Sequence, residues 1–258
     1  MRLALPIVLG FVLATLLGAC TTTGDTERYK QEDVDLSTAA ELNAKLGLAY
    51  LQQGNRKRAL EKMRHALDLD PQRPITHHYI AELYRQLGQY DLAEEHFMKA
   101  IELDPKDANT QNDFGVFLCD QGRHEEGVKR FLNAIKDPLY DTPGQAYENA
   151  AICVLDIPDR ERAEKYFRLA LRENPFLPTA LYRMAEVSFN EGQYFRARAF
   201  LQRYHSVQPK SAPSLWLAIR IEREQNGTKL AQEYGELLTE RFSGAPETQL
   251  YLESMNHE

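Results

Sequence analysis

The chain lacks the short motifs that build a catalytic centre. It has no Gly-x-Ser-x-Gly, no glycine loop able to cradle phosphate, no Cys-x-x-Cys and no His-Glu-x-x-His; His124-Glu125 is missing its second histidine. Its 7 histidines show no metal-ligand spacing, and the adjacent His77 and His78 point to different faces of a helix. No pair of carboxylates is set apart by its neighbours. These absences argue against an enzyme, a cofactor and a small-molecule substrate. An excess of positive charge is missing too: 31 Lys and Arg against 38 Asp and Glu leave a formal net charge of −7. Such a chain has no electrostatic reason to seek nucleic acid. The basic runs Arg56-Lys57-Arg58 and Arg196/Arg198 read as solvated helix surface. Cysteine is scarce, with 3 in 258 residues.

What the chain does have is a period. Leu46-Gly47, Tyr50, Gly54, Ala59, Met63, Ala66 and Pro71 recur 34 residues later as Ile80-Ala81, Tyr84, Gly88, Ala93, Phe97, Ala100 and Pro105. A third copy runs Phe114-Gly115, Leu118, Gly122, Gly127, Phe131, Ala134, with Pro138. Two inserted residues later comes Ala150-Ala151, Val154, Pro158, Ala163, Phe167, Ala170 and Pro175, then Met184-Ala185, Ser188, Gly192, Ala197, Leu201, Tyr204 and Pro209. This spacing resembles that of tetratricopeptide repeats and predicts an all-α, right-handed superhelix of about six helix pairs. Small residues sit where helix backbones come close, large ones fill the gaps between units, and neighbouring units bury what one unit cannot. The expected units lie near 40–73, 74–107, 108–143, 144–177, 178–211 and 212–246. The sixth, with Trp216, Ile219, the turn Asn226-Gly227, Ala231, Leu238 and Pro246, puts Gly235 where the others carry a large residue, and reads as a divergent cap.

Residues 1–19 form the other distinctive segment. Arg2 precedes an apolar run from Leu3 to Ala19, short for a bilayer crossing and without a stop-transfer cluster after it. Leu17-Gly18-Ala19-Cys20 resembles a bacterial lipobox, which implies cleavage before Cys20 and acylation of its thiol. Thr21, rather than aspartate, follows, which points to the outer membrane. Removing residues 1–19 takes away one positive charge, Arg2, moving the net charge from −7 to −8. Residues 20–36 then carry the lipid and a tether, whose sixteen flexible residues span about 22 Å, and 37–258 form the repeat domain.

Cys119 and Cys153 fall on the first helices of adjacent units, at helical phases that let them face each other. In an oxidising compartment the expectation is a disulfide; the alternative is two buried free thiols. First helices line the inner groove of such a superhelix. By period, the groove positions are Leu48, Leu51, His78, Glu82, Arg85, Asn112, Val116, Glu148, Ile152, Leu155, Tyr182, Glu186 and Phe189. This lining lacks the Lys and Asn of the carboxylate-clamp repeats, so an extended or helical protein segment with apolar anchors is the expected ligand. Asn112 and Glu148 are placed to hydrogen-bond a bound backbone; alternatively Asn112, Asn149, Phe114 and Tyr147 only stabilise packing between units.

Six such repeats behind a lipobox, with Asn112-Asp113-Phe114-Gly115-Val116-Phe117-Leu118-Cys119 in the third unit and Tyr147-Glu148-Asn149-Ala150-Ala151-Ile152-Cys153 in the fourth, resemble the type IV pilus pilotins, the PilF/PilW family. The resemblance covers essentially the whole mature chain. It implies an outer-membrane lipoprotein, facing the periplasm, that helps secretin subunits insert and multimerise, with the secretin and the lipid bilayer as partners. Gly127 in place of alanine and the degenerate sixth unit depart from the pattern. The other reading of the same repeat and anchor is a scaffold for cell-wall enzymes.

Overall fold

The structure, a computed structural model, describes residues 35–157 and 159–255. The signal segment, Cys20 and residues 21–34 lie outside the described residues. Within them, thirteen helices follow one another without a strand. Six antiparallel pairs are α1 (Leu36–Gln52) with α2 (Arg56–Leu69), α3 (Pro74–Gln86) with α4 (Tyr90–Leu103), α5 (Ala108–Asp120) with α6 (His124–Ala134), α7 (Pro143–Leu155) with α8 (Arg160–Glu173), α9 (Pro178–Asn190) with α10 (Tyr194–Val207), and α11 (Ala212–Glu224) with α12 (Thr228–Arg241). A last helix, α13 (Pro246–Met255), stands alone.

Local chemistry sets these boundaries. Pro74, Pro143 and Pro178 open α3, α7 and α9, where a missing N–H leaves no bond unmade. The side chains of Asn55, Asp107, Asp159 and Ser211 accept backbone N–H bonds at the starts of α2, α5, α8 and α11. Four of the intra-pair turns use a glycine at φ between +70° and +75°; in the sixth pair Asn226, at +59°, takes that conformation.

Packing follows the period. The ring of Phe131 lies where a Cβ on Gly115 would stand 2.7 Å away, and Met63 lies likewise against Gly47. Phe97 stacks on Phe114 with centroids 5.2 Å apart, across the boundary between the second and third units. First helices of successive units approach one another (α1–α3, α3–α5, α5–α7, α9–α11), whereas successive second helices make no comparable approach. The stack therefore curves with its first helices on the inside.

The sixth unit is less degenerate than its sequence. A Cβ on Gly235 would lie 2.1 Å from Cζ of Tyr251, a residue of α13. The large residue missing from α12 is thus supplied by the extra helix, which the repeat period does not reveal. Gly127 has a similar explanation: a Cβ there would lie 2.3 Å from Cys119 Sγ and 2.8 Å from the Gly115 carbonyl.

One packing contact carries a pH dependence. His205 Nε2 on α10 lies 3.1 Å from Ser214 Oγ on α11. Burial, and then the nearby Lys210, push this imidazole down from 6.5 to about 4. Between those values the unfolded chain binds a proton that the folded domain does not, so stability falls as pH drops from 6.5 towards 4. The full shift corresponds to about 3 kcal/mol, and solvent screening of a half-buried ring leaves about 1–2 kcal/mol. His205→Gln should remove that part of the acid loss. The check is urea unfolding at neutral and acidic pH, and an identical loss in both proteins would refute the assignment.

Candidate protein-binding face

The inner face is built from the exposed flanks of α1, α3, α5, α7, α9 and α11. Three of the groove positions expected from the period are not on it. Leu51, His78 and Glu148 are 6%, 4% and 4% exposed, and each is spent on contacts between helices. His78 Nε2 pairs with Asp113 Oδ2 at 2.9 Å, one unit further on. The Glu148 carboxylate accepts the N–H of Ala180 in the first turn of α9 at 2.7 Å, and a second bond from Gln145. A carboxylate at a helix N-terminus satisfies an otherwise unpaired donor and complements the dipole. Leu51 belongs to the core around Met63 and Phe97. The period assigned these three by phase alone, but the next unit leans over that part of the helix.

Asn112 is also engaged within the protein. Its Nδ2 donates to Asp113 at 3.1 Å, and its Oδ1 accepts from Asn149 at 3.0 Å. Asn149 accepts in turn from Gln145 at 3.2 Å. A chain of polar side chains thus runs from His78 through Asp113, Asn112, Asn149 and Gln145 to Glu148, linking the second unit to the fifth. Asn112 and Asn149, expected among the residues that pack units together, make such contacts here, and Glu148, expected beside a bound backbone, is bonded to α9 instead.

Glu82 and Arg85 remain at the surface, as a bidentate pair at 2.9 Å with Asp120 3.5 Å from the guanidinium. Leu48 and Val116 are half-buried. Ile152 and Leu155 are open, at 41% and 38% exposure, and form an aliphatic ridge on α7. Beside it the Cys119–Cys153 disulfide joins α5 to α7 with Cα atoms 5.6 Å apart. Further along, Tyr182 is pushed up to about 12 by burial first and then by Glu186, so it stays a neutral phenol.

Two clefts indent this face. One, of about 540 Å³, lies between α7, α8 and α9 and has Leu155, Phe167 and Val187 in its wall. It opens between the C-terminal ends of α7 and α9 and the start of α8. The other, of about 310 Å³, is walled by Tyr182, Phe189, Trp216 and Arg220. Among the described residues no group of three or more His, Cys, Asp or Glu side chains could hold a metal ion. No helix among them is long and apolar enough to cross a membrane.

The chain matches the tetratricopeptide-repeat family at residues 40–73, 74–107, 96–129 and 179–211. The type IV pilus assembly protein PilF of Pseudomonas aeruginosa is 32% identical over 239 residues, which span 93% of this chain and 94% of that protein. The chain belongs to the PilF/PilW family. Its fold agrees: a solved structure of Pseudomonas aeruginosa PilF superposes with a TM-score of 0.78 at 30% identity, over 85% of this chain and 99% of that one. PilW, a widely conserved type IV pilus biogenesis factor, superposes with a TM-score of 0.70 at 29% identity, over 83% and 98%. This PilF/PilW relative is therefore a tetratricopeptide-repeat protein of type IV pilus biogenesis.

Two residues of its inner face escape the reading of the first five units. Trp216 and Arg220 stand 34 residues after Tyr182 and Glu186, so the same period reaches them. Treating the sixth unit as a cap hid that signal.

Proposed function

We propose that this protein is a pilotin: a lipid-anchored, periplasm-facing adaptor that brings type IV pilus secretin subunits to the outer membrane and promotes their multimerisation. Family membership is the observation that carries the reading, and the lipobox-like Leu17-Gly18-Ala19-Cys20 and the open aliphatic ridge at Ile152 and Leu155 support it. The division of labour is physical. Acyl chains on Cys20 hold the protein at the bilayer, each buried methylene adding about 0.8 kcal/mol. The stacked repeats offer a fixed surface to a segment of the secretin. Tethering then raises the local concentration of captured subunits where the channel forms.

Two sets of variants test this. Cys20→Ser should leave the fold intact and shift the protein out of the membrane fraction, and mature protein of unacylated mass would sink the anchor. Ile152→Asp and Val116→Asp, made separately, place a charge on the ridge and beside it. The expected result is a folded protein with secretin multimers and surface pili reduced about tenfold or more, the loss of one well-made apolar contact of about 1.4 kcal/mol. Normal multimer yield in both folded variants would mean that this face does not receive the secretin. Envelope defects with normal pili would favour the cell-wall scaffold instead.

A further inference from the structure

We propose that the inner face between the fourth and sixth units is a receptor for an extended, largely apolar segment of a partner protein that carries one acidic residue, with Asn190 reading its backbone and Arg220 that residue's carboxylate. The proposal rests on the reading that the inner face binds protein, and it specifies where and by what chemistry.

The two clefts meet, because Glu186 and Asn190 border both. Together they make one trough from Leu155 on α7 to Arg220 on α11. Asn190, the last residue of α9, is exposed at the junction, and its side-chain amide makes no hydrogen bond to another described residue. That amide offers one acceptor and two donors, which match the N–H and C=O of one residue in an extended chain. In such a chain alternate side chains point the same way, about 6.8 Å apart. One can drop towards Leu155, Phe167 and Val187, and a later one can enter between Phe189 and Trp216.

The far end selects charge. The Arg220 guanidinium lies 4.2 Å from the centroid of the Phe189 ring and has no carboxylate partner among the described residues. Two other arginines on the first helices do: Arg85 holds Glu82, and Arg183 holds Glu186 at 2.9 Å. Stacking on Phe189 fixes the plane of the Arg220 fork while leaving its edge donors unspent, the arrangement that receives a carboxylate in two parallel bonds. Glu186 and Glu247 stand on the same cleft, the first already held by Arg183, so Arg220 is the one guanidinium there among two carboxylates. The carboxylate of an incoming acidic residue is directed to the Arg220 side.

Trp216 is the only tryptophan in the chain, so its emission reports on this trough alone. The experiment pans a phage-displayed dodecapeptide library on the detergent-solubilised mature protein, then titrates the selected peptides against Trp216 fluorescence. Selected sequences should carry Asp or Glu at one position with apolar residues at alternating positions before it. Arg220→Gln, which keeps the stem and removes the charge, should weaken these peptides about ten- to hundredfold. Arg220→Glu should shift selection to Lys and Arg. Asn190→Ala should weaken every selected peptide by a similar factor whatever its sequence. Thermal melts establish that each variant is folded. Selected peptides without acidic enrichment, unchanged affinity in Arg220→Gln, or unchanged Trp216 emission would overturn the proposal. Those results leave the secretin reading standing if Ile152→Asp still lowers the multimer yield, so the two fail separately.

Discussion

Replacing Cys153 by serine should lower the unfolding free energy of the repeat domain by about 2–4 kcal/mol. The bond joins positions 34 residues apart. In the chain-entropy view, closing a loop of that length in the unfolded state is worth about 4 kcal/mol, less whatever strain the native state bears. Its place in the fold adds to the effect. It connects two first helices, α5 and α7, and so ties two adjacent units directly. The third unit also gives up a methyl group for it, because the Cys119 sulfur occupies the space that an alanine at Gly127 would take. Reduction therefore removes a crosslink from a stack already shaped around it. Urea unfolding of oxidised, reduced and Cys153→Ser protein measures this. The latter two should coincide, below the first. Coincidence of all three would show that the crosslink contributes nothing to the folded state.

Gly235→Leu should destabilise the C-terminal end, although it restores the repeat pattern. Units one to five carry Met63, Phe97, Phe131, Phe167 and Leu201 at this position, and all five are buried. By repeat logic a leucine would repair the sixth unit. In the folded protein Tyr251 already fills that space, and even a methyl group would meet its ring at 2.1 Å. The ring must leave this space, by swinging out of the core or by lifting α13, which also holds Thr248 against the carbonyl of Phe242 at 2.6 Å. Overpacking of this kind costs about 1–3 kcal/mol. It should appear as a lower Tm and faster proteolysis beyond Phe242. Tyr251→Ala should make room for the leucine, so the double variant should lose less than the sum of the two single ones. A higher Tm for Gly235→Leu alone would disprove this account of the cap.

Both results depend on glycines whose significance is invisible from composition. Gly54 and Gly88 can be read from sequence, since a turn between two helices needs a residue tolerant of positive φ. Gly127 and Gly235 cannot, since what each makes room for comes from elsewhere: a sulfur on the paired helix in one case, a ring from a later helix in the other. The groove divides the same way. Ile152 and Leu155 are open as their phase requires, whereas Leu51, His78 and Glu148 have the same phase and are covered.

The sequence by itself determined the helix pairs, their small and large packing positions and the phase that lets Cys119 face Cys153, because those depend on spacing within a helix and on one repeated step. Only the tertiary structure decided which inner-face residues meet solvent, that a cleft opens between the ends of α7, α8 and α9, and that a thirteenth helix closes the stack. These depend on how far each unit leans on the next. That tilt is set by side chains from two units at once, and no local period carries it.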